Sequence, residues 1–474
     1  MDKQKLSNLY IFLFIISIFL RYFLQFQIPA FNVDEVNLGF NIIDKSYFDL
    51  LKPLEFYQSA PPGFLIIIKF ITEINLFPQW VNLKLFSFIV SCFIAYIPLV
   101  IIKQNKYGIE YLIPYVILLF NPFIIYNSLT LKQYGIDLLG TFIFIYFHLT
   151  HKKLNVKIML IVFWSWFSNA AIFGALAMSV IGLCRIKDFK KKIQLTSLWR
   201  IIAPLLALFP YAAYVQYYLS FTEAHLIKGY MVKYWNEFFL PLDWGIFEFL
   251  IKQTHAYYIY FINAYEIIGL TIIFLLFIVG VIKLYKKEKW PHQRSIRLLM
   301  LMITFHLCFS SFHLYPFSDR LLLYSAALFF FICASLIKSL LMNYTSVRWF
   351  ILLLVGLLLS SYSTYINFKE NDVLSVIRYL KESNYSKVYL TTNANENVNN
   401  FNLLTEGYFE SELEQIEIIH EIEDVDIVVS RASNKIKPNK NSKDVDFMNM
   451  RKEFLKFELI KQLGGYNIYT RKII

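Results

Sequence analysis

Apolar residues in this chain come in long blocks, not at the three-and-four spacing of a soluble amphipathic helix. Crossing the hydrocarbon core takes roughly 20 apolar residues of helix. Blocks near or approaching that length recur at 7–27, 80–102, 108–127, 133–150, 155–169, 171–184, 199–219, 257–282, 298–314, 320–341 and 348–366. The pattern predicts a mostly α, polytopic transmembrane bundle of about eleven spans. The fifth and sixth blocks are short, as in helices that tilt or re-enter.

The polar connections orient the bundle. Lys103 and Lys106, then His151 to Lys153, Arg185 to Lys192 and Lys283 to Arg297 occupy alternate connections. Basic loops stay on the cytoplasmic side, so the N-terminus is expected inside. The connections 28–79, 220–256 and 315–319 then face outward, and an odd span count exports the tail after 367. The expected localisation is a bacterial plasma (inner) membrane with an extracytoplasmic C-terminal domain.

Two segments depart from the block pattern. Asn32 to Leu54 is polar and mildly amphipathic, and Gln58-Ser59-Ala60-Pro61-Pro62-Gly63 leads into a short apolar stretch, Phe64 to Leu76. This predicts outer juxtamembrane helices lying on the membrane surface, cornered at the Pro-Pro-Gly. Beyond about 367, 387–392, 426–430 and 466–470 read as strands, and 372–382 and 447–463 as helices. The organisation is a membrane module, 1–366, followed by a small α/β domain, 367–474. The Asn-rich stretch 393–400 reads as a loop.

Composition narrows the classes. With 57% hydrophobic and 17% charged residues, the chain falls below the ~25% charge of soluble domains. The net charge of +12 sits in the short inter-block clusters and is accounted for by topology, so no nucleic-acid partner is expected. Cys92, Cys184, Cys308 and Cys333 lie in or beside apolar blocks, which supports neither a disulfide framework nor a Cys-rich metal site. Met1 to Lys5 and the following apolar run lack a small-residue cleavage site and read as an uncleaved first span.

Ionisable residues at the outer edge are the candidate chemistry. Asp34-Glu35 follows the first span, Lys132 and Tyr134 stand at the mouth of the fourth, and Asp319-Arg320 at the mouth of the tenth. A carboxylate opposite fixed cations suits transfer from a phosphate-linked donor: the carboxylate takes a proton from an acceptor hydroxyl, and the cations hold the leaving phosphate. His225, His255 and His313 can bind metal but lack a pairing spacing. Lys228 and Lys233 suit headgroup snorkelling or a lipid phosphate. Trp235 and the dense tyrosines suit an interfacial belt or a sugar platform. His306, Asp137 and Glu266 read as structural groups within spans.

The segment Val33 to Asn37 with Gln58 to Phe64 resembles the first outer loop of bacterial GT-C glycosyltransferases, the membrane family of dolichyl-phosphate-mannose protein mannosyltransferase-like, family 39-like enzymes. Asn121-Pro122 to Ser128, running into Leu131 to Asp137, is similar to a further stretch of that family. So are Ser168 to Phe173, Tyr234-Trp235 with Phe239 and Pro241, and Tyr315 to Arg320. The matches run in order through most of 7–366. Lys84 stands where many relatives carry Arg, and Leu131 where they carry a carboxylate.

The resemblance implies inverting transfer of a sugar from a polyprenyl-phosphate donor on the outer face. Asp34 would be the general base, with Glu35 supporting it or helping to bind a divalent ion, the one cofactor in question. Lys132, Tyr134 and Arg320 would bind the donor phosphate, and Gln58, Tyr234 and Trp235 the acceptor or sugar. Glu35 and His225 are the weak metal candidates. The partners implied are the lipid-linked donor, a glycan, lipid or protein acceptor, and membrane lipids. The alternatives are a lipid-linked oligosaccharide flippase and an O-antigen polymerase or ligase.

Overall fold

The computed structural model describes residues 3–26, 33–77, 79–150, 153–184, 195–262, 293–318, 320–341 and 379, together with five strands between 387 and 471. Fifteen helices run through the described part of 3–341. They are α1 (Lys3–Phe26), α2 (Val33–Asp44), α3 (Pro62–Ile74), α4 (Gln79–Gln104), α5 (Leu112–Phe120), α6 (Pro122–Leu129), α7 (Tyr134–Leu149) and α8 (Leu154–Ser165). Then follow α9 (Ala170–Cys184), α10 (Leu195–Leu206), α11 (Phe209–Tyr218), α12 (Thr222–Tyr234), α13 (Gly245–Ile262), α14 (Gln293–Ser311) and α15 (Ala326–Leu341).

Among the described residues, three stretches are long and apolar enough to cross a membrane: Gln4–Gln25, Val81–Gln104 and Leu198–Tyr218. Two helices at 109–129, bent by 50°, make a fourth when taken together. The expected eleven spans are therefore not reached by helix length here. Several blocks fold as shorter apolar helices, and 348–366 and most of 257–282 lie outside the described residues. On α1, Phe12, Phe19 and Phe23 are exposed, which suits contact with lipid rather than water.

The expected straight span at 108–127 is broken, and the cause is local. Pro122 brings no N–H to continue the ladder, and Asn121 caps the new helix by accepting from Ile124 N at 3.0 Å. The break leaves carbonyls at the end of α5 in need of donors. Buried Arg21 supplies one, donating Nη1 to Leu119 O at 2.9 Å and Nε to Ser91 Oγ at 2.9 Å. Ser91 meets Ser128 at 2.7 Å, and Ser87 donates to Thr130 O at 2.8 Å. Between helices in lipid, such bonds and close packing supply the attraction that water would otherwise supply. Close packing is extreme at Gly140, where a Cβ would fall 1.9 Å from Trp164 Nε1. That missing side chain lets the indole lie against α7.

The segment expected on the outer side packs against the rest of the protein. On α2, Val36, Leu38 and Ile42 are buried. Lys69 of α3 caps the end of α2, donating to Ile42 O at 3.2 Å and Ile43 O at 3.3 Å. The Pro-Pro-Gly corner does start a helix, with Pro62 in its first turn. Gly63 N donates to Trp166 O at 2.8 Å, and a Cβ there would meet that same oxygen at 2.7 Å. The corner thus docks on the turn between α8 and α9.

The described C-terminal residues form one five-stranded sheet: β1 (Lys387–Leu390), β2 (Glu417–Ile419), β3 (Ile427–Arg431), β4 (Phe457–Leu463) and β5 (Tyr466–Arg471), in the order β2-β1-β3-β5-β4. The β1 strand is parallel to β2 and β3, with Val388 opposite Ile427, whereas β5 is antiparallel to β3 and β4. The helix expected over 447–463 is corrected at its end, since Phe457–Leu463 is a strand. Gly464-Gly465 separates it from β5, and two such residues between apolar runs are a hairpin signal. The expected helix at 372–382 lies outside the described residues but for Tyr379, and the loop at 393–400 lies wholly outside them.

Candidate functional site

The site is built around the first turn of α2, where Asp34 and Glu35 lie at the positive end of the helix dipole. A helix turns by about 100° per residue, so the two carboxylates point apart and take different roles. Asp34 faces an open cavity of 590 Å³, also lined by Lys132, Tyr134, Trp235, Ser318 and Arg320. Its Oδ2 lies 3.5 Å from Arg320 Nη1. The Asp34 side chain is 45% exposed and that of Arg320 27%. At such exposure an ion pair is worth only about 0–1 kcal/mol, so either group can let go of the other.

Glu35 faces the protein. It is 1% exposed, pairs with Lys84 Nζ of α4 at 3.4 Å, and accepts from Leu131 N at 2.6 Å. These contacts fix α2, α4 and the 130–133 loop to one another. Glu35 is thereby engaged by a cation and a backbone donor, whereas Asp34 faces the open cavity. His225, on α12, lies at the surface. Among the described residues, no three His, Cys, Asp or Glu side chains gather closely enough to hold a metal ion.

Lys132 reaches the same cavity from the loop after α6. It is buried, and its Nζ donates to Gln58 Oε1 at 2.5 Å. Burial pulls its pKa down from the usual 10.5 to about 8; the Asp34 carboxylate opposes that fall and Arg320 adds to it. Arg320 opens the 3-10 turn Arg320–Ser325 that precedes α15. Its guanidinium carbon sits 5.0 Å from the Trp235 ring centre and 5.8 Å from that of Tyr134. Flat aromatic faces on a planar cation leave its N–H edge directed at a ligand.

The turn before Arg320 is held from below. His306 of α14 contacts Pro316 O at 2.9 Å and Tyr324 Oη at 3.1 Å, and its ring stacks on Phe173 at 4.7 Å. Phe317 N donates to Phe238 O at 2.8 Å, tying this turn to the segment after α12. Asp319 lies outside the described residues.

A second cavity, of 310 Å³, lies behind Gln58 and is lined by Ser59, Asn169, Tyr211, Tyr214, Tyr218, Lys228 and His313 among others. Trp235 lines both cavities. Asp137 lies below, accepting from the Ser168 hydroxyl, and its Oδ2 has no partner among the described residues. It anchors the turn that presents Asn169.

Of the residues singled out by sequence, Asp34, Lys132, Tyr134, Tyr234, Trp235 and Arg320 line the first cavity, and Gln58, Lys228, Trp235 and His313 the second. Lys233 is exposed, and Glu266 and the His255 side chain lie outside the described residues. Ser318 and Asn127 in the first cavity and Ser59 in the second lie inside the stretches that carry the resemblance but have no role assigned from sequence, and Tyr211 in the second lies outside those stretches. A small polar residue beside an apolar block carries no signal of what it will face. No family model matches the chain, and no curated protein is similar to it.

Proposed function

We propose that this chain is a membrane glycosyltransferase of the GT-C kind, moving a sugar from a polyprenyl-phosphate donor to an acceptor hydroxyl on the extracytoplasmic face. In this reading about eleven spans place the N-terminus and basic loops inside, and the C-terminal sheet outside. One observation carries it: a half-exposed carboxylate, Asp34, shares a cavity with two cations, Lys132 and Arg320.

The chemistry follows from that arrangement. Asp34 takes the proton of the acceptor hydroxyl as its oxygen attacks the anomeric carbon opposite the phosphate. The bond from that carbon to the phosphate oxygen breaks, and configuration inverts. The leaving phosphate gains negative charge, which Arg320 grips through two N–H groups and Lys132 neutralises. Arg320 must then turn from Asp34 to the phosphate, and the weakness of their contact allows it. No metal is required for charge balance, since two cations already face the phosphate.

The test is Asp34→Asn in the full chain, assayed with a panel of undecaprenyl-phosphate sugars. Loss of transfer by about 10²–10⁴-fold, with insertion and lipid-phosphate binding retained, supports the reading. Unchanged transfer sinks it. The broken helix pair at 109–129 favours a flippase as second reading, because transporters place interrupted helices at their substrate sites. Movement of lipid-linked sugar across vesicles without transfer would establish it.

A further inference from the structure

Besides sharing Trp235, the two cavities are joined by a hydrogen bond. Lys132 lines one, Gln58 lines the other, both are buried, and Nζ donates to Oε1 at 2.5 Å. The Gln58 amide N–H₂ is turned the opposite way, donating to Phe56 O at 3.2 Å. Phe56 and Tyr57 both hold left-handed backbone, φ 56° and 53°, and the Tyr57 ring stacks on Tyr230 at 4.5 Å. The loop carrying Gln58 is therefore fixed, and Lys132, with its flexible stem, is the partner free to leave.

The second cavity differs in chemistry from the first. Among the described residues lining it there is no carboxylate. Its polar wall holds Tyr211, Tyr214 and Tyr218, spaced along one face of α11, and the amide of Asn169, to which Tyr211 donates at 2.8 Å. Two lysines line it: Lys52 is paired with Asp49 at 2.8 Å, and Lys228 of α12 is exposed. Phenols, an amide and ring faces suit a ring bearing several hydroxyls, and with Lys52 neutralised by Asp49 and Lys228 exposed, the lining residues offer no buried cation for a charged group.

We propose that the Lys132–Gln58 bond couples the two cavities. A lipid-linked phosphate entering beside Arg320 draws Lys132 away from Gln58, and the freed Oε1 then accepts a hydroxyl from a neutral sugar in the second cavity. This rests on the transferase reading and deepens it. It makes the acceptor a neutral glycan, and it makes acceptor binding follow donor binding. The glycan hydroxyl held at Gln58 sits at the junction of the cavities, beside Trp235 and on the way to Asp34.

Binding alone tests the idea, without any transfer step. The full chain in nanodiscs of zwitterionic lipid is titrated with methyl hexosides by saturation-transfer NMR, with and without sugar-free undecaprenyl phosphate. The lipid phosphate should tighten the best hexoside about fivefold to tenfold, the effect of one hydrogen bond gained. Gln58→Leu should bind the lipid phosphate at least as well as the native chain yet lose the tightening. Gln58→Glu should hold Lys132 more firmly and weaken lipid-phosphate binding about tenfold. Equal hexoside affinity in the presence and absence of lipid phosphate, or tightening that persists in Gln58→Leu, overturns the coupling while leaving the transferase reading intact. A chain that binds no undecaprenyl phosphate loses both.

Discussion

Arg320 Nη1 lies 3.5 Å from Asp34 Oδ2, a contact that joins residues 286 positions apart. It brings the turn before the last described apolar helix to the first turn of α2, and so places a proton acceptor and an anion binder in one cavity. The pairing also has a limit: while it lasts, Arg320 is not fully available to a phosphate.

Arg320→Lys should preserve the positive charge and lose the flat stacking on Trp235 and Tyr134. One charge-assisted hydrogen bond is worth about 1.5–3 kcal/mol, so transfer is expected to drop about 10- to 100-fold. The loss should appear chiefly as weaker lipid-phosphate affinity. Arg320→Ala should cost more and also free Asp34. Equal affinity in the lysine variant and the native chain would contradict the assigned role.

Donor binding should depend on pH through Lys132. Burial lowers its pKa to about 8, so the ammonium that attracts a phosphate prevails below that value and is lost above it. Affinity for undecaprenyl phosphate is expected to fall by up to tenfold per pH unit above about 8, until Arg320 alone remains. Stability runs the other way: the cost of burying the ammonium is present below about 8 and is relieved as pH rises from there toward 10.5. Lys132→Arg should flatten the binding profile between about pH 7 and 10.

The Glu35–Lys84 pair is an assembly contact, and single changes should show it. Glu35→Leu or Lys84→Met leaves one buried charge uncompensated, which costs about 3–5 kcal/mol. The double variant, with both charges gone, should recover most of that loss in thermal unfolding of detergent-solubilised protein. A double variant as unstable as the sum of the singles would mean that the two charges do not compensate each other.

Gly140→Ala tests the closest packing. The added Cβ would fall 1.9 Å from the Trp164 nitrogen, so the indole must leave its seat. Overpacking of this kind costs typically about 1–3 kcal/mol. Trp164→Leu in the same chain should restore part of the stability, as measured by the midpoint of thermal unfolding.

Some of this architecture is legible in the sequence because it is written locally. Apolar blocks give the helices, and Pro61-Pro62-Gly63 marks a corner. Short runs rich in β-branched and aromatic residues near 387–390, 427–431 and 466–470 give three strands. What is not legible is pairing over distance. Nothing near Glu35 says that it will meet Lys84 while Asp34 meets Arg320. Adjacent carboxylates look equivalent until the helix turns one inward. The break at residue 121 was hidden because hydropathy averages over a window that spans it. The strand at 457–463 was mistaken because its mixed apolar and charged residues also suit a helix, and pairing with β5 decides between the two.

The buried contact between Glu35 and Lys84 has a consequence for biogenesis. Glu35 leaves the ribosome well before Lys84, and while its partner is absent a carboxylate is costly in hydrocarbon. The contact that fixes α2 therefore forms only after α4 has been made. It then joins α2 to α4 with α3 folded in between, and the cavity that holds Asp34 is completed only later, when Lys132, Trp235 and Arg320 arrive.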